Sequence, residues 1–315
     1  MRIVMMGTGA YAVPTLEKLY QSPHNAAALF TRPDVAGPGR RAAPPNPMRR
    51  LAAERGTPVY DPHSVNSPEA LEILRNLAPD LLVVCDYGQI LAAQTLATAR
   101  HGGLNLHASL LPKYRGAAPI NWAIYHGESE TGNTVIHMTA RLDAGPCVAQ
   151  QRITIGPDET AEQIEPRMAD AGAALVTEAI EQLAAGSLRQ LPQDDTKATR
   201  APKLKKSDGR VDWSRTARQI FDQIRAFKPW PKTFTDWPRD GAGPVRLILD
   251  LVAVDRSPSD QPPGTVTGAD ANRLSIATGE GQLVIEQLQP AGKRVMTAAE
   301  FLRGAALKMG DRLGE

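Results

Sequence analysis

Three polar residues lie at or just beyond the ends of apolar segments and form the set that could do chemistry. Asn105 and His107 belong to the segment Leu104-Asn105-Leu106-His107, and Asp143 follows a second apolar segment that ends near residue 139. Successive side chains of a strand point to opposite faces, so Asn105 and His107 are expected on one face. In an open α/β sheet the carboxyl ends of the strands meet at one crevice, where we expect Asp143 to join them.

This set offers an amide donor, an imidazole and a carboxylate, but no nucleophile. The nearby hydroxyl of Ser109 is not part of a Gly-x-Ser-x-Gly elbow. Such a set suits transfer of an acyl group to an amine, because the amine brings its own attacking nitrogen. Asn105 and a protonated His107 can donate to the developing oxyanion, while Asp143 orients the imidazole and accepts a proton from the amine. Taken singly, each of the three residues is better explained as a structural one, and it is their combination that favours chemistry.

A second pattern, near the N-terminus, is typical of a different function. Gly7-Thr8-Gly9-Ala10-Tyr11-Ala12 fits Gly-x-Gly-x-x-Ala directly after a predicted strand, and Asp34 follows later in the chain. This pattern makes a nicotinamide-dependent oxidoreductase the alternative interpretation. Asp34, however, follows Arg32-Pro33 rather than closing the second strand, and any parallel sheet needs a tight glycine turn after its first strand.

The elements that must position these residues alternate between strand and helix over residues 1–155. Several of the strand segments are continuous apolar runs, which indicates a sheet covered on both faces by helices. We therefore predict an α/β domain with a doubly wound, mostly parallel, Rossmann-like sheet. Its predicted strands cover residues 2–7, 27–31, 81–87, 103–107, 135–139 and 148–155, and its predicted helices cover residues 13–21, 67–77, 119–126 and 159–186.

The pattern changes after residue 186. Residues 187–206 are polar, lack periodicity and carry a net charge of +4 in a chain of net charge +2, so they are predicted to link an N-terminal domain (1–186) to a C-terminal domain (207–315). Several short strands in the C-terminal part predict a small OB-like β-barrel. The predicted strands are 245–254, 264–267, 274–277 and 283–289, and the predicted helices are 214–227 and 297–307, the latter with a capping box formed by Thr297 and Glu300.

Composition excludes several classes of protein. With 315 residues, 42% of them apolar and 22% charged, the chain is of ordinary globular composition and long enough for two domains. The two cysteines, Cys85 and Cys147, form no Cys-x-x-Cys motif, which argues against a disulfide framework or a zinc site. No signal peptide and no run of about eighteen apolar residues is present. We expect a monomeric cytoplasmic protein without a metal or a membrane partner.

Longer motifs around the polar set carry a family resemblance. The run from Asn105 to Ile120 (NLHASLLPKYRGAAPI), with Glu130-Thr131-Gly132 and Leu142-Asp143-Ala144-Gly145, resembles the core of the folate-dependent formyltransferases. The resemblance covers nearly the whole chain, including Ala201-Pro202-Lys203-Leu204 and Gln289-Pro290-Ala291-Gly292-Lys293. It implies 10-formyltetrahydrofolate as formyl donor, and the motifs of the second domain favour initiator methionyl-tRNA as acceptor. Two alternatives stay open: the acceptor could be a nucleotide sugar or glycinamide ribonucleotide, or the chain could be a tRNA- or folate-binding module without turnover.

The resemblance also implies roles for individual residues. Asn105, His107 and Asp143 would be catalytic. The folate pocket would be lined by Tyr87, Gly88, Ser109, Leu110, Leu111 and Pro112. A loop at residues 32–47, rich in proline, glycine and arginine, would enter the acceptor stem, and the basic linker would contact the tRNA backbone, with salt-sensitive affinity. The residues implied in tRNA binding are Arg40, Arg41, Lys203, Lys205 and Lys206.

Four positions depart from the family pattern. Gly9 stands where the family usually has proline, and this is what produces the dinucleotide-like motif. Asp86 replaces a small apolar residue before Tyr87-Gly88, and Ala144 and Pro146 alter the usual Asp-Thr-Gly-Asp run.

Overall fold

The computed structural model describes residues 1–34, 46–239, 241–270 and 273–314. The chain forms two compact units. The first comprises Met1–Ile120, Glu130–Ile155 and Gln163–Pro202, and the second comprises Asn121–Ser129, Gly156–Glu162 and Lys203–Glu315. The chain enters the second unit for the last time at Lys203, within the segment that the sequence predicts as a linker.

A seven-stranded, Rossmann-like sheet forms the centre of the first unit. The strands of this unit are β1 (Arg2–Gly7), β2 (Asn25–Phe30), β3 (Val59–Tyr60), β4 (Leu81–Cys85), β5 (Gly103–His107), β6 (Arg115–Gly116), β7 (Glu130–His137), β8 (Cys147–Thr154) and β9 (Arg200–Ala201). The order in the large sheet is β3-β2-β1-β4-β5-β7-β8, and β6 and β9 form a separate parallel pair. The strands from β3 to β5 are parallel, whereas β7 runs antiparallel to β5 and β8 antiparallel to β7.

Six helices accompany these strands in the chain. They are α1 (Val13–Gln21), α2 (Pro47–Glu54), α3 (Pro68–Leu77), α4 (Ala93–Leu96), α5 (Pro119–Tyr125) and α6 (Ala161–Ala184). Local sequence explains where two of them begin, since Asn46 accepts hydrogen bonds from the first turn of α2 and Ser67 does the same for α3. All five residues of β4 are buried, as its uninterrupted apolar sequence predicts. The helix α2 is absent from the sequence prediction, which treated residues 32–47 as a loop.

The second unit contains a curled antiparallel sheet of OB-like form. Its strands are β10 (Thr233–Arg239), β11 (Ala242–Asp255), β12 (Val266–Ala269), β13 (Leu274–Ala277), β14 (Gln282–Pro290) and β15 (Met296–Thr297), and its helices are α7 (Ala217–Ala226) and α8 (Ala298–Gly304). The strand order is β10-β11-β14-β13-β12, with β15 paired to β14. The predicted capping box of α8 is confirmed, because Thr297 and Glu300 exchange backbone and side-chain hydrogen bonds.

A buried ion pair connects two segments of the second unit. The side chains of Asp222 and Arg225 are both 5% exposed, and the Arg225 Nε lies 2.7 Å from the Asp222 Oδ1. Arg225 also donates to the backbone carbonyls of Gly156 and Glu159. This arginine therefore holds Gly156–Glu162 against α7, with its hydrogen bonds offsetting the loss of hydration.

The short strands β3, β6, β9 and β15 were not predicted, and two longer strands also differ from the sequence prediction. The strand predicted at 135–139 is β7, which starts at Glu130 and runs antiparallel to its neighbour β5. The strand β10 was not predicted, because its sequence TFTDWPR contains an aspartate and a proline. Both residues are tolerated at this position since β10 is an edge strand, where one side needs no ladder hydrogen bonds. In the described part of the chain, no helix is both long enough and apolar enough to span a membrane.

Candidate active site

His107, the last residue of β5, is buried with 6% of its surface exposed. Its Nε2 lies 2.9 Å from the backbone oxygen of Tyr114. A carbonyl oxygen can only accept a hydrogen bond, so this contact assigns a proton to Nε2. The other ring nitrogen, Nδ1, faces the Asp143 Oδ2 at 3.7 Å. Nδ1 is therefore the nitrogen of His107 that is left to exchange a proton with a substrate.

Asp143 reaches His107 by a different route from the one that the sequence predicted. Because β7 is antiparallel to β5, its carboxyl end pairs with the amino end of β5: His137 lies opposite Leu104. The expectation that the carboxyl ends of these two strands converge is therefore wrong. Three residues of a strand span about 10 Å. The loop 138–146 must turn back along β5 over this length to bring the Asp143 carboxylate next to His107.

The Asp143 carboxylate is held by the backbone of β6. The Gly116 N–H donates to Asp143 Oδ2 at 2.9 Å. Gly116 has a φ of +131°, and a Cβ at this position would lie 2.3 Å from the Ala201 carbonyl oxygen, so only glycine fits between the Asp143 carboxylate and β9. Asp143 and Tyr114, the two residues in contact with His107, have left-handed backbones with φ of 48° and 63°. Such conformations in residues other than glycine often mark functional sites.

Asn105 lies in the middle of β5, flanked by Val84 of β4 and Ile136 of β7. It is half-buried, unlike its neighbours Leu104 and Leu106, which are buried. The alternation of side chains places it on the same face of the sheet as His107. An amide group is thus available two residues before the imidazole, at a position that solvent and substrate can reach.

The segment Ser109–Pro112, predicted to line the folate pocket, is fixed by hydrogen bonds to the sheet. The Thr134 hydroxyl donates to the Ser109 carbonyl and accepts from the Leu111 N–H, at 2.7 and 3.1 Å. Ser109 itself is fully buried, and its hydroxyl donates to the Lys113 carbonyl at 2.6 Å. This engaged hydroxyl agrees with the absence of a serine nucleophile, and the folate-binding role of Ser109–Pro112 stays a prediction. Leu110 and Pro112 are half-buried and Leu111 is buried.

Tyr87 and Gly88, also predicted for the folate pocket, follow β4. The Tyr87 side chain is 2% exposed, lies in the hydrophobic core and has no hydrogen-bond partner for its hydroxyl in the described part of the chain. Burial raises the pKa of this phenol well above its ordinary range. Gly88 is exposed, with a φ of 76° and the Arg32 side chain beside it. The role of both residues in the folate pocket stays a prediction.

The departures at Gly9 and Asp86 depend on each other. A Cβ at position 9 would lie 1.8 Å from the Asp86 Oδ2, so the carboxylate occupies the space that a side chain at position 9 would need. Burial by the surrounding protein and the negative charge of Glu165 raise the pKa of Asp86 from 3.8 to about 6, while Arg32 opposes this rise. Asp86 also keeps solvent contact, and water screens part of these effects.

The same geometry argues against the dinucleotide interpretation of the glycine motif. A pyrophosphate bound over Gly9 would meet the Asp86 carboxylate, and like charges repel. Asp34, the candidate ligand of the ribose, is engaged elsewhere, because its carboxylate lies 3.1 Å from the Arg49 Nε. The motif thus explains a tight turn after β1 rather than a cofactor site.

The predicted tRNA contacts are only partly visible. Arg40 and Arg41 lie outside the described residues. Lys203, Lys205 and Lys206 are exposed, and within the described ranges none of their ammonium groups lies within 4.0 Å of a carboxylate. Among the same residues, no group of three or more histidine, cysteine, aspartate or glutamate side chains could hold a metal ion.

Sequence reasoning missed Tyr114, Arg115 and Gln193. Tyr114 contacts His107 through its backbone carbonyl, and a backbone contact leaves no side-chain signal in the sequence. Gln193 donates to the backbone carbonyls of Asp143 and Gly145. It lies 50 residues after Asp143 in a segment without periodicity, so only the folded chain reveals this contact.

Comparison with known proteins follows the same division of the chain. Residues 1–180 match the family model "Formyl transferase", and residues 203–306 match "Formyl transferase, C-terminal domain". A methionyl-tRNA formyltransferase of Methylococcus capsulatus is 44% identical over 315 residues, with 100% of both chains covered. One of Geobacter sulfurreducens is 42% identical over 316 residues, covering 100% of this chain and 97% of the relative.

Solved structures of lower identity share the fold. A sugar 3N-formyl transferase, solved in the presence of dTDP and 5-N-formyl-THF, superposes with a TM-score of 0.65 at 16% identity, covering 93% of this chain and 99% of that chain. A glycinamide ribonucleotide transformylase from Symbiobacterium toebii gives a TM-score of 0.51 at 23% identity, covering 62% of this chain and 94% of that chain. With both of its domains matched and full-length relatives above 40% identity, the chain belongs to the formyl transferase family.

Proposed function

We propose that this chain transfers the formyl group of 10-formyltetrahydrofolate to the α-amino group of initiator methionyl-tRNA. The observation that carries the proposal is the His107–Asp143 pair, whose side chains are 6% and 10% exposed. Half-buried Asn105 lies on the same strand face as His107, and the nearby Ser109 hydroxyl is engaged in a hydrogen bond within its own loop. This set suits a reaction in which the acceptor amine attacks the formyl carbon directly. Full-length relatives named methionyl-tRNA formyltransferase support the choice of acceptor.

In the first step the neutral amine adds to the formyl carbon. A new C–N bond forms, and the carbonyl electron pair moves to the oxygen, which becomes an oxyanion. The Asn105 amide and the Nδ1–H of a protonated His107 are the groups that would donate to this oxygen. Nε2 cannot take this role, because its proton is already donated to the Tyr114 carbonyl.

In the second step the carbon–nitrogen bond to the folate breaks. The leaving nitrogen receives a proton, which His107 supplies from Nδ1, and the attacking amine gives up a proton, which Asp143 accepts directly or through water. These transfers leave His107 neutral and Asp143 protonated, and return of the proton from Asp143 to Nδ1, directly or through water, restores both groups for the next turnover. The separation of 3.7 Å between Nδ1 and Oδ2 leaves Nδ1 free to donate to the substrate instead of to Asp143.

The acceptor is a nucleic acid, and exposed cations in the second unit fit this requirement. Lys203, Lys205 and Lys206 lie close together in the chain, and all three are exposed. Ammonium groups in this situation can neutralise phosphates and release the counterions bound to them. We propose that these lysines contact the tRNA backbone, and that the chain acts as a cytoplasmic monomer, which light scattering of the purified chain would test.

The decisive experiment is incubation with 10-formyltetrahydrofolate and charged initiator tRNA, with N-formylmethionine as the measured product. Asn105→Ala and His107→Ala are each expected to lower kcat by roughly 100- to 1000-fold, since one lost oxyanion donor removes about 3–4 kcal/mol of transition-state stabilisation. The control is His63→Ala, because His63 is an exposed histidine with no role in the site. Near-normal turnover by either variant would refute the mechanism.

The same assay separates the alternative acceptors. A dTDP-amino sugar and glycinamide ribonucleotide are offered in place of the charged tRNA at equal concentration. Faster formylation of either small molecule than of methionyl-tRNA would overturn the choice of acceptor, while keeping the formyl transfer.

A further inference from the structure

Residues 191–201 connect the loop 138–146, which carries Asp143, to the segment that follows His107. At one end, Leu191 exchanges two backbone hydrogen bonds of 2.8 Å with Cys147, next to the loop 138–146. At the other end, β9 pairs with β6, next to the loop that follows His107. We propose that Gln193, which lies within this segment, is a positioning residue: Arg115 orients it, and it holds Asp143 in place for formyl transfer. This proposal rests on the proposed function.

The side-chain amide of Gln193 uses its full hydrogen-bonding capacity. Its Nε2 donates to the Asp143 carbonyl at 2.8 Å and to the Gly145 carbonyl at 2.7 Å. Its Oε1 accepts from the Nε and Nη2 of Arg115 at 3.1 and 2.7 Å. An arginine can only donate and a carbonyl can only accept, so the amide has a single allowed orientation. Arg115 thus directs the two N–H groups of Gln193 at the loop that carries Asp143.

Arg115 is itself fixed in place. Its side chain is 13% exposed, and its Nη2 also contacts the Asp195 Oδ1 at 2.8 Å. Its backbone N–H donates to the Thr199 carbonyl at 2.9 Å. Arg141, on the loop 138–146, contacts the second oxygen of Asp195 at 3.0 Å. Asp195 therefore joins Arg115 of β6 to Arg141 of the loop 138–146, which is a second connection between these two segments.

Asp143 is consequently held at two points by neighbouring residues of β6. Gly116 binds its side-chain carboxylate directly, and Arg115 binds its main-chain carbonyl through Gln193. Asp143 needs such support because its φ of 48° lies in the left-handed region, which is unfavourable for a residue with a side chain. Without Gln193, we expect the loop to relax and the carboxylate to leave its place beside His107.

The test compares two substitutions that both remove the donor of Gln193. Gln193→Met removes both the donor and the acceptor at similar length. Gln193→Glu keeps an acceptor for Arg115 but loses the donor and points a negative charge at two carbonyl oxygens. Both are expected to lower kcat by roughly 10- to 100-fold, in line with a displacement of about 1 Å, and to leave KM for 10-formyltetrahydrofolate unchanged. Gln190→Met, which changes an exposed glutamine three positions earlier in the chain, is the matched control.

A second measurement detects, without any assay of turnover, the clamp that the Gln193 side chain forms on the loop 138–146. Amide hydrogen exchange over residues 138–147 is expected to be faster in Gln193→Met than in Gln190→Met, because the loop loses two hydrogen bonds. Unchanged exchange and unchanged kcat in both Gln193 variants would overturn the proposal. A fall in apparent kcat no larger than the fraction of unfolded chain, measured by circular dichroism under the assay conditions, would also overturn it. If the unaltered chain formylates no methionyl-tRNA, the proposed function fails, while faster exchange in Gln193→Met would still support the clamp.

Discussion

Replacing Gly116 with alanine perturbs the active site by an amount that the structure sets. The new Cβ would lie 2.3 Å from the Ala201 carbonyl oxygen, and real Cβ contacts are essentially never below 3.0 Å, so β6 and β9 must separate by about 0.7 Å. A displacement of about 0.7 Å would disrupt the contact of 2.9 Å between Gly116 N and Asp143 Oδ2, because lengthening it by this amount exceeds hydrogen-bond range and shortening it brings the two atoms into repulsion. The backbone strain of an alanine at a φ of +131° destabilises the folded chain by about a further 1–3 kcal/mol.

The expected result of Gly116→Ala is a kcat lower by roughly 10- to 100-fold, because displacements approaching 1 Å reduce turnover by about this factor. Steady-state formylation of charged initiator tRNA measures kcat and KM, and thermal unfolding of the same variant measures the loss of stability. Gly304→Ala is the matched control, since no atom lies within 4 Å of a Cβ at that position and its φ is not left-handed. A kcat within twofold of the unaltered chain would refute the argument that Gly116 positions Asp143.

Two further predictions concern charge. Replacing Lys203, Lys205 and Lys206 with glutamate should weaken tRNA binding and leave KM for the folate unchanged. The slope of log affinity against log salt should fall by about 1 for each phosphate contact that is lost. An unaltered slope, which is the result expected for the control Lys18→Glu, would mean that these lysines are only solvated. Asp86→Asn should raise the thermal unfolding midpoint relative to the unaltered chain at pH 7 but not at pH 4. The pKa of Asp86 is about 6 in the folded chain against an ordinary 3.8, so the unaltered chain loses stability as the pH rises from about 4 to about 6. An equal difference between the two chains at both pH values would contradict this.

Much of the fold follows from local patterns in the sequence. Continuous apolar runs predict the buried parallel strands, as at β4, and the Thr297–Glu300 pair predicts the start of α8. Both depend on residues close together in the chain, whose burial or capping is a local property. The missed elements include α2 and β10, which begin with or contain a proline, and the very short elements α4, β3, β6, β9 and β15; in such short segments local patterns are ambiguous.

The sequence also determined which chemical groups are present: an amide and an imidazole two residues apart on one strand face, a carboxylate beyond the next strand, and no nucleophile. Only the tertiary structure decided how the carboxylate arrives, because the direction of β7 depends on pairing with β5 and not on its own residues. Backbone partners decided the rest. The Tyr114 carbonyl selects the free nitrogen of His107, and Gly116 and Gln193 hold Asp143, through hydrogen bonds that join residues up to 50 positions apart in the chain. Side-chain types are written in a sequence, whereas such contacts exist only once distant segments have packed together.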